Sequence, residues 1–310
     1  MTGNECRFAD GPFGGELLRD AWPKMPPEWA GAHADRSRPF PILVKFIFTD
    51  QKLSVQVHPD DDHAAQHERN SGGRGKTEMW YALRANPGAE VMVGLRPGAS
   101  KGKFQSAILD GTAENWLEHI ALKTGEAIFV PAGTVHTIGS GLVLCEIQEQ
   151  SDLTYRVYDY NRRDTQGKSR ELHIAKALDV IRFGEQSGGK IEPARVDRDG
   201  VSETYFASCR YFATVKWEFS ASLAATTSPG HFDLLIFLEG GGSIRWGDDR
   251  AEYAPMQVWM LPAALRAYEL APSSRTTLLR TYVPDHPDEF ARLLADRGIS
   301  NALTSRLVHP

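Results

Sequence analysis

The sequence has no hydrophobic run long enough to cross a membrane. A membrane-spanning helix needs about 18 or more consecutive apolar residues, whereas the most apolar segment, residues 39–48, is shorter and contains Lys45. Near the N-terminus, Glu5, Arg7 and Asp10 stand where a secretory signal would have an apolar core. We therefore expect a cytoplasmic protein with no membrane partner.

The chain also lacks an excess of basic residues. It has 35 lysines and arginines against 40 aspartates and glutamates, a formal net charge of −5, and no basic cluster. Nucleic acids and anionic membrane surfaces attract proteins through positively charged patches. We therefore expect no nucleic acid partner.

Cysteine is scarce as well. Cys6, Cys145 and Cys209 are widely spaced, and no C-x-x-C pair occurs. This spacing is typical of free thiols in a reducing cytoplasm, not of a disulfide framework. Cys145 falls in the apolar run 142–147, so we expect its thiol to be buried.

The composition is that of a large protein built from strands and turns. At about 150 residues per domain, the 310 residues amount to two domains or one large one. The 28 glycines, 18 prolines and 10% aromatic residues favour many short strands over a helix bundle. Apolar and polar residues alternate over 53–58, which predicts a strand with one buried face.

A helix pattern separates two β-rich stretches. Residues 101–118 are weakly helical in pattern, residues 169–183 predict one helix, and residues 286–298 predict another that ends at Gly298. The predicted organisation is therefore a first β-rich domain with an N-terminal arm, a connecting helix with its linker, and a second β-rich domain with a C-terminal helix, at 1–168, 169–200 and 201–310. The two β-rich halves could be a diverged repeat.

The strongest motif is GEAIFVPAGTVH, residues 125–136. It predicts a strand, a tight turn at Pro131, and a second strand that presents His136 inward. Gly125 and Gly133 suit positions that need a positive φ or a close backbone approach.

Two further segments carry side chains that suit a metal. Gln56 and His58 lie two apart on one predicted strand, so both point the same way, and Glu78 opens a strand after a glycine-rich loop. With His136, they offer two imidazoles, a carboxylate and an amide oxygen. This set suits a catalytic Zn²⁺ with an open position, and it suits iron or manganese equally.

Four segments in order resemble a known family. The motif at 125–136 resembles the second cupin motif, and KLSVQVHPDD, GKTEMWYAL and SDLTYRVYDYNR are similar to segments of type I mannose-6-phosphate isomerases, in their short bacterial form. The similarity runs over residues 12–182 and more loosely beyond them. It implies a mainly β fold, with two cupin-type (jelly-roll) barrels and a few short helices.

The resemblance also implies site residues and an activity, the interconversion of mannose 6-phosphate and fructose 6-phosphate through a cis-enediol. It implies one Zn²⁺ per chain held by Gln56, His58, Glu78 and His136, catalytic roles for Arg156, Lys76 and Asp152, and a sugar-phosphate substrate bound by Ser54, Lys45 and Lys76. The general base stays open between a zinc-bound hydroxide, Lys76 and Asp152.

One departure from longer relatives is Gly75, where many of them have histidine, so a proton-transfer role for that histidine does not carry over. We expect a monomer or a weak homodimer.

Two other functions fit these residues less well. A metal-dependent cupin oxygenase usually has His-x-His followed closely by Glu, whereas here Gln56 replaces the first histidine and Glu78 comes 20 residues after His58. A non-catalytic sugar-phosphate-binding protein would not need four metal ligands together with Arg156 and Lys76. Both alternatives are therefore weaker than the isomerase.

The second half lacks the metal ligands. Aligning Pro262 with Pro131 places Ala267 at the position of His136, and His231 with Asp233 does not rebuild a site. We therefore expect a second barrel without metal. Only 58 residues separate Glu78 from His136, so the helical domain that longer relatives insert there has no room.

Overall fold

Two compact units make up the chain. The computed structural model describes residues 6–32, 34–185 and 188–309. One unit is Leu43–Ile191, and the other consists of the described residues within Met1–Ile42 and Glu192–Pro310. We call them the first and the second jelly roll, for the strand orders given next.

The first jelly roll contains two antiparallel sheets. Its strands are β1 Ile42–Thr49, β2 Val55–Val57, β3 Glu78–Ala85, β4 Glu90–Leu95, β5 Leu117–Ala121, β6 Ala127–Val130, β7 His136–Ile138, β8 Leu142–Glu149, β9 Tyr155–Tyr158 and β10 Gly189–Lys190. One sheet has the order β1-β8-β3-β6-β10 and the other β5-β4-β7-β2-β9. Without the edge strands β9 and β10, these are the orders 1-8-3-6 and 2-7-4-5 of an eight-stranded double-sheet jelly roll.

The second jelly roll repeats this order. Its strands are β11 Ala194–Arg198, β12 Val201–Ser208, β13 Ala213–Phe219, β14 Leu223–Thr226, β15 Asp233–Glu239, β16 Gly242–Trp246, β17 Asp249–Tyr253, β18 Val258–Leu261, β19 Ala267–Pro272 and β20 Thr276–Tyr282. The sheets run β11-β12-β13-β20-β15-β18 and β14-β19-β16-β17. Counting from β13, the order is again 1-8-3-6 and 2-7-4-5, so the chain contains the same topology twice.

The helices are few and short. They are α1 Leu18–Ala21, α2 Pro27–Ala30, α3 Asp61–His67, α4 Lys101–Leu109, α5 Ile174–Val180, α6 Glu289–Asp296 and α7 Asn301–Leu307. The longest described helix has nine residues, so none of the described helices could span a bilayer. The predicted fold class, mainly β with a few short helices and no helical insertion domain, is confirmed.

Apolar side chains from both sheets form the core of the first jelly roll. Val55 and Val57 are fully buried while Gln56 between them is half-buried, as the predicted alternation requires. Trp80 and Ile128 pack in one cluster, and Val55 and Val57 pack in the other, beside α5. Cys145 is buried as predicted.

The helix predicted over 169–183 is shorter than expected and covers only Ile174–Val180. The residues before this helix pair instead with the backbone of other segments. The His173 N–H donates to Arg156 O at 2.7 Å, and Ser169 bridges to Arg163. The pattern at 101–118 also divides, because α4 ends at Leu109 and β5 begins at Leu117.

The first forty residues contribute to the core of the second jelly roll. The ring of Trp22 meets Phe40 at 5.0 Å and Phe232 at 5.8 Å, both edge to face. At the other end of the chain, Gly298 follows α6 with a φ of 76°. The predicted C-terminal helix and its glycine cap are thus confirmed.

Candidate metal centre and active site

Three strands of the first jelly roll bring the predicted metal ligands together. Gln56 on β2 lies directly opposite His136 on β7, and Glu78 is the first residue of β3. His58 follows the end of β2, where its carbonyl accepts a hydrogen bond from the Gly133 N–H at 2.8 Å. The turn before His136 therefore also fixes the backbone of His58.

The side chains converge on one buried point. Glu78 Oε1 lies 3.3 Å from His136 Nε2 and 3.8 Å from His58 Nε2. The Gln56 amide nitrogen lies 3.3 Å from the same His136 Nε2, and rotating the amide would present its oxygen instead. We call His58, Glu78 and His136 the metal triad; their ligand atoms all lie within 4.8 Å of one another.

Backbone carbonyls orient both histidines for metal binding. His58 Nδ1 lies 2.8 Å from Leu153 O, and His136 Nδ1 lies 2.9 Å from Thr134 O. Each Nδ1 therefore carries the proton and donates it, which leaves the Nε2 lone pair facing Glu78. This is the tautomer that an imidazole needs to bind a metal through Nε2.

Burial keeps both imidazoles neutral. It lowers the pKa of His136 to about 4. Burial, with the positive charge of Lys76 next, holds the pKa of His58 well below its ordinary value. Neutral imidazoles are the form that binds metal at neutral pH.

One buried oxygen of Glu78 shows whether these side chains fit a metal ion. Glu78 Oε1 is fully buried and accepts no hydrogen bond from the described residues, although it faces both Nε2 atoms. Buried carboxylate oxygens nearly always have partners. A cation bound by the metal triad would satisfy this oxygen, so the residues fit zinc and equally other metals that take two histidines and a carboxylate.

Two predicted glycines shape the turn around His136. Gly125 and Gly133 have φ values of 87° and 83°, a region that favours glycine. A Cβ on Gly133 would lie 2.9 Å from the Arg182 side chain. The predicted reason for these glycines is confirmed.

The two predicted lysines meet at one carboxylate beside the metal triad. Lys76 Nζ lies 2.5 Å from Glu78 Oε2 and 3.6 Å from Glu146 Oε1. Lys45 Nζ lies 3.7 Å from the same Glu146 oxygen and 2.8 Å from Asp152 Oδ1. Two ammonium groups thus border the metal triad on one side.

Sequence reasoning missed Glu146. Its side chain is buried, and its Oε2 accepts a hydrogen bond from the Trp80 indole at 3.2 Å. Burial raises the pKa of its carboxyl group against the opposing effect of Lys76. The available signal was a carboxylate within the apolar strand Leu142–Glu149, since such a residue is buried only with charged partners.

Arg156 is connected to the metal centre through Ser54. It lies on β9 opposite Gln56. Its Nε donates to Ser54 Oγ at 3.3 Å, and Ser54 Oγ donates to Gln56 Oε1 at 3.4 Å. A second guanidinium nitrogen donates to Glu171 O at 3.0 Å, which holds the charged group beside β2.

The two side-chain candidates for the general base are Lys76, which lies beside two carboxylates, and Asp152, which lies beside a lysine. Burial opposes the charge of Lys76, but Glu78 and Glu146 outweigh burial and raise the pKa of its ammonium group. The two carboxylates thus favour the ammonium form of Lys76, whereas a lysine base needs the neutral amine. Asp152 is already ionically paired with Lys45.

The departure at Gly75 has a steric cause. A Cβ there would lie 2.6 Å from both the carbonyl carbon of Asp60 and the nitrogen of Asp61. The Gly75 N–H also donates to the Asp61 side chain at 2.9 Å. Because backbone passes against this position, a histidine has no room here.

The second jelly roll does not repeat the metal triad in its described residues. Asp233 pairs with Leu261, just before Pro262, as Glu78 pairs with Val130, just before Pro131. The carboxylate at this position lies 3.0 Å from a guanidinium nitrogen of Arg280 and 3.6 Å from Nδ1 of one histidine, His231, whereas Glu78 faces two Nε2 atoms.

The alignment of Ala267 with His136 is corrected by one residue. Ala267 is exposed, whereas Tyr268 is buried and interacts electrostatically with Asp233 and Arg280. Near the start of β15 and α6, His231, Asp285 and Glu289 form a further group whose ligand atoms lie close together. Glu289 already accepts hydrogen bonds from His231 and from the Asp285 N–H.

A double-sheet jelly roll with an inward-facing His–Glu–His group that could hold a metal defines the chain as a cupin-type protein. No family model matches the chain. It is 36% identical over 234 residues to mannose-6-phosphate isomerase of Streptococcus mutans, covering 76% of this chain and 72% of that protein. It is 34% identical over 264 residues to mannose-6-phosphate isomerase ManA of Bacillus subtilis, covering 84% and 80%.

Solved structures agree with these relatives. The crystal structure of the Bacillus subtilis mannose 6-phosphate isomerase matches with a TM-score of 0.81 at 30% identity, covering 89% of this chain and 85% of that one. A phosphomannose isomerase from Salmonella typhimurium matches with a TM-score of 0.68 at 16% identity, which shows the shared fold. The chain belongs to the mannose-6-phosphate isomerase family, as the sequence motifs predict.

Proposed function

We propose that the protein is a zinc-dependent aldose–ketose isomerase that interconverts mannose 6-phosphate and fructose 6-phosphate through a cis-enediol intermediate. The observation that carries this proposal is the buried metal triad with Lys76, Lys45 and Arg156 around it. The relatives named mannose-6-phosphate isomerase support the choice of substrate.

The reaction moves a proton between C1 and C2 and places negative charge on the neighbouring oxygens. Zinc bound by the metal triad and Gln56 supplies a Lewis acid for that charge. Arg156 remains protonated at any working pH, and its bonds to Ser54 and Glu171 fix it before substrate arrives. Such preorganised positive charge stabilises a developing oxyanion without reorganisation.

We assign the substrate phosphate to Lys45, Lys76 and Ser54. Glu146 holds both ammonium groups within 3.7 Å of a single oxygen, so they present their charge together. Ser54 adds a hydroxyl that can donate to a phosphate oxygen. Glu146 acts as a positioning residue for the two lysines.

The chain offers Asp152 and Lys76 for the proton transfer. Asp152 would have to separate from Lys45, and Lys76 would have to separate from Glu78 and Glu146. A base needs to reach the proton first and have a suitable pKa second. Replacing Asp152 by asparagine and Lys76 by methionine separates the two roles.

We further propose one zinc per chain, a monomer or weak homodimer, and a cytoplasmic location. The metal triad supports the single site in the first jelly roll. No disulfide joins Cys6, Cys145 or Cys209, all of which are described, and thiols of this kind suit a reducing compartment.

A coupled assay tests the proposal directly. Mannose 6-phosphate should be converted to fructose 6-phosphate, activity should disappear with a chelator, and Zn²⁺ should restore it. Absence of turnover in fully zinc-loaded protein would overturn the isomerase. Binding of the sugar phosphate without turnover would indicate a binding protein, and metal-dependent oxygen consumption would indicate an oxygenase.

A further inference from the structure

The second jelly roll contains a cavity of its own, of about 400 Å³. Side chains of β12, β13 and β20 line one side, β14 and the start of β19 line another, and α6 borders it. This volume lies within the range of small-molecule sites, about 300–1,000 Å³. We call it the arginine cavity, for Arg198, Arg280 and Arg297 in its wall.

Positive charge exceeds negative charge in this wall. Arg198 Nε and Arg297 Nε lie 3.1 Å and 3.0 Å from the same oxygen of Glu203, so these two guanidinium groups share one carboxylate. Arg280 is paired with Asp233 at 3.0 Å. Arg198 also pairs with Asp199 at 2.8 Å, but neither Asp199 nor Asp233 lines the cavity, so the wall itself carries three guanidinium groups and one carboxylate.

Two buried polar atoms in the wall lack partners. The Tyr268 side chain is 4% exposed, and neither its hydroxyl nor Arg280 Nε has a hydrogen-bond partner among the described residues. Both residues line the arginine cavity. Since buried polar atoms without partners are rare in folded proteins, these atoms point to a ligand or ordered solvent that accepts hydrogen bonds inside the cavity.

Aromatic rings hold the deepest guanidinium in place. The Arg280 guanidinium carbon lies 5.4 Å from the centre of the Trp217 ring and 4.9 Å from that of Tyr282. Together with the Asp233 ion pair, these contacts restrict the side chain. A preorganised guanidinium binds an oxyanion with less loss of conformational entropy.

The position of Arg280 in the second jelly roll is equivalent to that of Glu146, which contacts the two lysines, in the first. Arg280 pairs with Leu235, two residues after Asp233, as Glu146 pairs with Trp80, two residues after Glu78. The repeated topology therefore places Arg280 where the first jelly roll has the carboxylate that holds Lys45 and Lys76. At this position the second jelly roll therefore has a cation, whereas the first has an anion that contacts two lysines.

We propose that the arginine cavity binds a small organic oxyanion, a phosphate ester or a carboxylate, with Arg280 and Tyr268 as inner contacts and Arg198 and Arg297 at its rim. This site is separate from the metal triad and needs no metal. It gives the second jelly roll a binding function in addition to a structural one.

The test counts binding events on the zinc-loaded full chain by isothermal titration calorimetry. The probes are inorganic phosphate, gluconate as the carboxylate, and mannitol as a neutral polyol. Lys45→Ala weakens binding at the metal centre, so the event that persists in this background reports on the arginine cavity. We expect this event with phosphate or gluconate and none with mannitol.

Substitutions then locate the persisting event. Arg297→Met should weaken it about tenfold or more, since a charge-assisted hydrogen bond is lost, and Tyr268→Phe should weaken it several-fold. Arg245→Met is the matched control. Arg245 pairs with Glu269 on a 47% exposed side chain and does not line the cavity, so binding should not change.

Thermal unfolding of each variant shows whether it folds, and Arg198→Met replaces Arg297→Met if the latter does not. A single binding event that disappears with Lys45→Ala would overturn the proposal. Equal binding by Arg297→Met, Tyr268→Phe and Arg245→Met would overturn it as well, as would mannitol binding of equal strength.

Discussion

Lys76 and Glu78 form an ion pair at the entrance of β3, with Nζ 2.5 Å from Oε2 and both side chains buried. Glu78 therefore interacts with two groups: Oε2 pairs with Lys76, and Oε1 faces the histidines of the metal triad. A charge removed from a buried pair leaves the other one uncompensated, at a cost of about 3–5 kcal/mol.

Glu78→Gln is expected to lose zinc and to unfold at lower temperature. Loss of a residue that only supports a metal ligand lowers metal affinity about 10- to 100-fold, and loss of the ligand itself should cost more. Metal analysis and calorimetry after dialysis measure the two effects. Glu146→Gln is the matched control, since Glu146 contacts Lys76 but not the histidines; equal zinc content in the two variants would contradict a ligand role for Glu78.

Arg156→Ala is expected to slow turnover about 10²- to 10³-fold, the usual effect of removing one donor that stabilises an oxyanion. Zinc content should stay near one per chain, because Arg156 reaches the metal ligands only through Ser54. Arg163→Ala provides the control, since Arg163 bonds to a loop carbonyl at Gly167. Metal loss from Arg156→Ala would make its role structural.

Local patterns predicted which side chains converge beside β2 because strand geometry is local. The alternation of Val55, Gln56 and Val57 determines which side chains face inward. The positive φ values at Gly125 and Gly133 follow from a turn that only a few residues define. These features need no knowledge of distant segments.

The misplaced features depend on contacts between distant residues. Residues 169–173 have a helical pattern but pair with strand β9 and its surroundings, so α5 begins late. In the second jelly roll, the buried residue at the position of His136 is Tyr268 and not Ala267. A short helical turn, Ala263–Leu265, and a positive φ at Arg266 displace the chain there. The role of Glu146 could not be predicted because its partners, Lys45 and Lys76, come from two other strand regions.

The metal-free protein should lose stability as the pH falls from about 6.5 to about 4. In the unfolded chain a histidine has a pKa of about 6.5, whereas burial lowers the pKa of His136 to about 4 in the folded state. Between these values the unfolded state binds more protons, so acid favours unfolding by up to about 1.4 kcal/mol per pH unit. Above about pH 6.5 the contribution is constant.

Calorimetry of chelator-treated protein over this range measures the effect. His136→Gln should flatten the slope of unfolding free energy against pH. His286→Asn is the control, because the His286 side chain is 58% exposed and should leave the slope unchanged. A slope that His136→Gln does not alter would mean that other groups cause the acid sensitivity.

Gly75→Ala should destabilise the protein although it adds one methyl group. The added carbon would lie 2.6 Å from the backbone of Asp60 and Asp61, and relieving this clash displaces the segment after His58. We expect a loss of about 1–3 kcal/mol, as for overpacked sites, together with weaker zinc binding. Gly102→Ala is the matched control in α4, where a Cβ has open space; alanine should raise stability there by up to about 1 kcal/mol.

His231→Ala should leave the zinc content at one per chain. His231 stacks on Tyr282 at 4.2 Å, and its Nε2 is 3.1 Å from Glu289, so its contacts account for a packed histidine that pairs with a carboxylate. His58→Ala, by contrast, removes a ligand of the metal triad and should abolish zinc binding. Metal analysis by mass spectrometry compares the two variants with the unmodified chain. Two metals in the unmodified chain, with one lost in His231→Ala, would instead make His231, Asp285 and Glu289 a second metal site.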